Sequence, residues 1–206
     1  AFSFGNAQAM QAIASVILIR RGRLNEPAET GSPAGTSIAQ PVAVAELRNE
    51  TGDTALASLG RLAGDWLTQG LQEVGTITVV PWPTAREAWE QSGGAEGALQ
   101  RFGRATAAGT VVTGAYYAIG DSLRFQLQLV DARTGALLTA LPPVAGARQA
   151  PERLVGELRE RLMGNVALAT DARLEALPEL ARHPPTYAAY RHFERGLRLS
   201  DELRYD

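Results

Sequence analysis

The chain contains no cysteine and no lysine. The first absence excludes disulfides, thiolate nucleophiles and cysteine-ligated zinc or iron–sulfur centres, and is silent on compartment. The second excludes a Schiff-base lysine and a lysine-containing phosphate loop. All 20 cations are therefore arginine, which codon usage explains more simply than selection for arginine chemistry. Histidine is scarce. His183 precedes Pro184 in a loop and His192 lies beside the apolar face of a tail helix, so neither is nominated as a ligand or acid–base group. A formal net charge of −2 gives no bulk electrostatic case for nucleic acid. Nucleophile patterns of the G-x-S-x-G type are absent. Gly93-Gly94-Ala95-Glu96-Gly97 lacks the Lys or Ser/Thr that a phosphate cradle needs. Asp53 and Asp121 follow glycines in turns, where aspartate serves backbone geometry. No catalytic residue, metal ligand or cofactor is nominated, and the chain reads as a non-enzyme.

Long apolar runs are also missing. Residues 7–19, AQAMQAIASVILI, are apolar apart from Gln8, Gln11 and Ser15. As a helix they span about 20 Å, short of the roughly 30 Å hydrocarbon core, although Phe2 and Phe4 extend the run. Three readings stay open: a helix contacting the membrane, a helix packed on a protein partner, and an ordinary core helix. The first is preferred. Ile13, Val16, Ile17, Leu18 and Ile19, with Arg20, Arg21 and Arg23 behind them, are then the membrane or partner contacts. The chain begins at Ala1, which suits a processed product or a piece of something larger.

Four segments follow. Residues 1–23 are the apolar contact segment and residues 24–40, rich in Pro, Gly, Ser and Thr, a linker. Residues 41–170 form the folded domain and residues 171–206 a helical extension. In the domain, Val42, Val44 and Leu47 open a strand. Leu56 to Val74 repeat at three-and-four spacing, with Trp66 and Leu67 on the inner face, and stop at Gly75. Ile77, Val79, Val80 and Trp82 read as a second strand stopped by Pro81 and Pro83, with Thr84 capping a short helix to Trp89. A helix over 95–107 points Leu99, Phe102 and Ala105 inward. Residues 110–138 then read as three antiparallel strands. Leu123, Phe125, Leu127 and Leu129 alternate with Ser122, Arg124, Gln126 and Gln128. Pro151 opens a last helix through Leu168. The order β-α-β-α-α-β-β-β-α predicts an α/β (α+β) fold with a mixed sheet of about five strands, helices packed on it. In the extension, Thr186 caps a helix with Tyr187, Tyr190, Phe193, Leu197 and Leu199 along one side.

Residues 41–53, PVAVAELRNETGD, and the block 110–138, TVVTGAYYAIGDSLRFQLQLVDARTGALL, together resemble the TolB amino-terminal-domain-like module of bacterial envelope and signalling proteins. The resemblance covers about residues 41 to 170. The tail helix is similar to the first helix of a tetratricopeptide hairpin, and such repeats often follow this module. The absence of catalytic chemistry, the apolar first segment, the linker and the surplus tail helix point to a non-enzymatic, membrane-associated subunit whose partners are proteins of a larger bacterial membrane complex, an energetic or photosynthetic one among the candidates. The resemblance favours the periplasmic over the cytoplasmic side, although the arginine cluster alone favours the cytoplasm. The alternative is the sensory portion of a membrane-spanning kinase, cyclase or transcription regulator. Within the domain, strand ends nominate Arg48 and Glu50 in one loop and Trp82 and Arg86 in another as possible contacts. Turn chemistry and core packing are the simpler explanations of both.

Overall fold

The structure is a computed structural model and describes residues 40–93, 96–171 and 185–202. The apolar segment, the linker as far as residue 39, and His183 lie outside the described residues. The chain divides into two compact units, Ile38–Leu162 and one containing Met163–Asp206.

In the first unit, strand β1 (Val42–Val44) is buried on both sides, which its short apolar sequence suits. It pairs in parallel with β3 (Thr110–Ile119) from Val42↔Thr110 to Val44↔Val112. Strand β2 (Arg48–Asn49) continues that edge, pairing with Ala115 and Tyr116. β3 turns into β4 (Ser122–Asp131) and the two pair along their full length. The far side of β4 carries both β5 (Leu137–Ala140) and β6 (Val144–Ala147). The sheet is mixed and six-stranded, so the α/β architecture is as expected, with short β2 and β6 in addition. Between β5 and β6, Pro142 and Pro143 interrupt the edge, and the Arg161 guanidinium donates to both of their carbonyls at 3.3 and 3.1 Å.

The strand expected over residues 77–82 is reduced to one parallel bridge, Val42↔Val79. Trp82 belongs to a helix instead. Pro81 occupies the N-cap position and Pro83 the first turn, so the two prolines start a helix rather than stop a strand. Thr84 lies within that helix and makes no cap bond.

The helices of this unit are α1 (Ser58–Val74), α2 (Trp82–Ser92), α3 (Ala98–Thr106) and α4 (Pro151–Thr170), the last running on into the second unit. The sheet side bearing Val112, Tyr116, Leu123, Phe125 and Leu127 is buried. Leu154 of α4 lies against Gly146 there. The Tyr116 hydroxyl donates to the Leu56 carbonyl at 2.8 Å, just before α1, and Arg159 of α4 pairs with Glu73 of α1. On the other side, Ala85, Ala88 and Phe102 from α2 and α3 join Ala43, Ala45, Val111, Val130 and Ala132 in one apolar cluster. Trp89 meets Phe102 edge to face at 5.4 Å. Ala105, expected inside, is exposed.

Trp66 is half-buried rather than core. Leu67, one residue and roughly 100° further round the helix, takes the fully buried position. The buried stripe of α1 also contains Gly60, Ala63 and Gly64. Any side chain at Gly64 would strike the Trp82 indole, so this glycine lets α2 approach α1 closely.

In the second unit, helix α5 (Tyr187–Glu202) begins at Thr186, whose hydroxyl accepts the Ala189 N–H at 3.3 Å. Gly164 has no side chain where the carbonyl of Pro185 arrives. The Tyr190 hydroxyl donates to the Asp171 carboxylate at 3.0 Å, and Tyr190 and Phe193 are buried. Leu199, expected on the inner side, is 51% exposed.

Candidate functional site

Paired residues on neighbouring strands project to the same side of a sheet, and successive residues alternate. The register therefore sorts every side chain. α2 and α3 cover only the Val111–Val130 end of their side of the sheet, and toward the β3–β4 hairpin that same side carries cross-strand rows. One is Arg48–Ala115–Gln126. The next is Tyr117–Arg124–Ala145, and the last Ile119–Ser122–Ala147. Glu50 extends the middle row, because its N–H donates to the Tyr116 carbonyl at 2.9 Å and continues the β2–β3 ladder. Arg48, Glu50, Ile119, Ser122, Arg124, Gln126, Ala145 and Ala147 are all exposed and Tyr117 is half-buried. Among the described residues, this is an uncovered patch on the sheet. Ile119, at 60% exposure, is its most prominent apolar residue.

The loop presenting Arg48 and Glu50 is held by its other polar residues. The Asn49 carboxamide oxygen accepts from the Thr51 N–H at 3.0 Å and the Thr51 hydroxyl at 2.6 Å. Its amide donates to the Asp53 carbonyl at 2.8 Å. The Thr51 hydroxyl accepts the Asp53 N–H at 3.0 Å, and one Asp53 carboxylate oxygen accepts the Ala55 N–H at 2.9 Å. The other carboxylate oxygen pairs with Arg148, beyond β6. Asn49, Thr51 and Asp53 are thus engaged within the fold, as turn chemistry predicts. Arg48 and Glu50 project outward and pair with each other at 3.9 Å, an exposed contact worth about 0–1 kcal/mol. Arg124 has no ion-pair partner among the described residues.

Trp82 and Arg86 lie elsewhere. Trp82 packs on Gly64, and Arg86 pairs with Glu90 one turn on, at 3.7 Å. Burial pushes the nearby Glu46 carboxyl above its ordinary value; Arg61 and Arg86 oppose that rise and Glu90 adds to it. The structure therefore separates the four loop residues into two places, Arg48 with Glu50 and Trp82 with Arg86. The contacts nominated between Ile13 and Arg23 lie outside the described residues.

Sequence reasoning missed Glu46, Tyr117, Ile119, Arg124 and Gln126. For the β4 residues the signal was present: they are the polar half of the alternation. Glu46 gave no signal, because its neighbours come from α1 and α2. His192 is exposed on α5, where Ala188, Arg191, His192, Glu194 and Arg195 line a groove. Among the described residues, no group of three or more His, Asp or Glu is arranged to hold a metal, and no helix is long and apolar enough to cross a membrane.

No family model matches the chain, and no curated protein does. Several solved structures are similar to it at low identity. LpoB of E. coli is 18% identical with a TM-score of 0.45, covering 61% of this chain and 76% of that one. Lipoprotein GNA1162 from Neisseria meningitidis is 21% identical with a TM-score of 0.41, covering 52% and 79%. TolB from Acinetobacter baumannii is 15% identical with a TM-score of 0.39, covering 69% of this chain and 29% of that one.

Proposed function

We propose that the chain is a non-enzymatic interaction module on the extracytoplasmic face of a bacterial membrane, docking on and stabilising a larger membrane protein complex. An energetic or photosynthetic assembly is one such complex. The observation that carries this reading is the division of labour in the loop 48–53. Asn49, Thr51 and Asp53 fasten it internally, while Arg48 and Glu50 face solvent on an open sheet surface. A rigid face bearing charged handles and small neighbours suits recognition of a protein surface better than bond chemistry. The apolar segment ending in Arg20, Arg21 and Arg23 supports a second attachment, to the membrane or to a subunit within it. Ile13, Val16, Ile17, Leu18 and Ile19 would each contribute about 1.5–3 kcal/mol on full burial there. The sequence resemblance over about residues 41 to 170 supports the envelope setting and the periplasmic side.

Copurification from gently solubilised membranes tests the reading. The intact chain is expected to travel with a membrane complex. Deleting residues 1–24 should release a folded, soluble protein, and Arg48→Glu with Glu50→Arg should weaken the association further. An intact chain recovered alone and monodisperse from the soluble fraction sinks the proposal.

A further inference from the structure

The geometry points to a second copy of this chain as the occupant of the open sheet face, an inference that rests on reading that face as a contact surface. In the row Glu50–Tyr117–Arg124, a carboxylate and a guanidinium flank one tyrosine. Neighbouring strands lie about 4.8 Å apart, so the two charges stand at roughly equal distances from Tyr117. A two-fold axis running along β3, above Tyr117, lays Arg124 of each copy over Glu50 of the other. It also sets Arg48 over Gln126, and stacks Tyr117 and Ile119 on their own counterparts. Ile119 thereby loses its exposure. A two-fold axis across the strands through the same row would instead set Glu50 on Glu50 and Arg124 on Arg124. Charge thus selects one isologous arrangement and rejects the other. Small residues at Ala115, Ser122, Ala145 and Ala147 leave room for close approach of the two sheets. Three cross-strand rows make a small interface, so the dimer is weak, with a dissociation constant on the order of micromolar or above.

Sedimentation of the full chain tests this with a charge-swap cycle. The unmodified chain is expected to dimerise with concentration. Arg124→Glu and Glu50→Arg alone should each weaken dimerisation by about tenfold, and the double swap should restore it. The chain has no cysteine, so Tyr117→Cys supplies a unique thiol near the axis. A short bismaleimide should link Tyr117→Cys into dimers but not Gln72→Cys, on the exposed side of α1. Unchanged association in the single swaps, failure of the double swap to restore it, or equal linkage at position 72 overturns the proposal. So does a chain that stays monomeric at all concentrations. In that case, protection of the position-117 thiol within the membrane complex would show that the face is a contact surface for another protein. An unprotected thiol would overturn that reading as well.

Discussion

Removing the Asp53 side chain should loosen the loop that carries Arg48 and Glu50, by an amount the structure apportions between two bonds. One carboxylate oxygen caps the short 3-10 turn Thr54–Leu56 through the Ala55 N–H at 2.9 Å. Loss of such a cap costs about 0.5–2 kcal/mol. The other oxygen pairs with Arg148, and both partners are about one-third exposed, which keeps the pair near the surface value of about 0–1 kcal/mol. The Asn49 amide bond to the Asp53 carbonyl survives substitution because its acceptor is backbone. Asp53→Ala should therefore cost about 0.5–3 kcal/mol and Asp53→Asn, which retains a cap acceptor, about 1 kcal/mol or less. Arg148→Met should match Asp53→Asn, and the two together should be less than additive. All three tryptophans, Trp66, Trp82 and Trp89, lie in the unit containing the loop, so tryptophan fluorescence during urea unfolding reports on it. The midpoint should fall with the slope unchanged. Equal losses in Asp53→Ala and Asp53→Asn would refute the capping argument; strict additivity with Arg148→Met would refute the ion pair.

Other substitutions check the core and the electrostatics. Leu127 is 3% exposed, so Leu127→Ala should cost about 2–5 kcal/mol, while Gln126→Ala on the opposite face stays within about 0.5 kcal/mol; the same urea titration compares them. Gly64→Ala should push α2 off α1 and shift the tryptophan emission, because Trp82 occupies the space a methyl would need. Burial raises the Glu46 carboxyl, so the unfolded chain releases that proton first as pH rises. Stability should then fall as pH climbs through the carboxylate range and level off above it, and Glu46→Gln should abolish that fall in melting temperature. Asp131 behaves oppositely: the Thr134 N–H and hydroxyl, then the Arg133 N–H, hold its carboxyl below the ordinary value. Its contribution is present above the ordinary carboxylate range and lost as pH drops through the lowered one, so Asp131→Asn should flatten the acid limb of the melting curve.

Much of the sheet was legible. The alternation from Ser122 to Leu129 is a period-2 pattern with one buried face, and it fixed β4, its hairpin partners and its core side. Strands β2 and β6 were not legible. Arg48-Asn49 pairs through backbone alone, and V-A-G-A after two prolines has no hydrophobic period. Trp82 was misassigned because a proline between apolar residues serves equally to end a strand or begin a helix, and only the packing site on Gly64 decides. Trp66 shows the same limit: a residue on the flank of a helical stripe cannot be separated from its centre until the opposing surface is known. The outward residues of the open face could be read from the sequence. That α2 and α3 cover only the Val111–Val130 end of that side is a tertiary outcome no local pattern encodes.

The break at Pro142-Pro143 bears on how far assembly can propagate. An extended edge recruits foreign strands through consecutive free amides and carbonyls, which is the route to fibrils. On this edge, two successive residues have no N–H, and Arg161 occupies both of their carbonyls. The remaining edge strands, Leu137–Ala140 and Val144–Ala147, are only four residues each and bond to different parts of β4. A strand from another molecule would find no continuous template there. Replacing Pro142 and Pro143 with β-branched residues should turn this margin into a nucleation site for fibres, visible as thioflavin binding that the unmodified protein lacks.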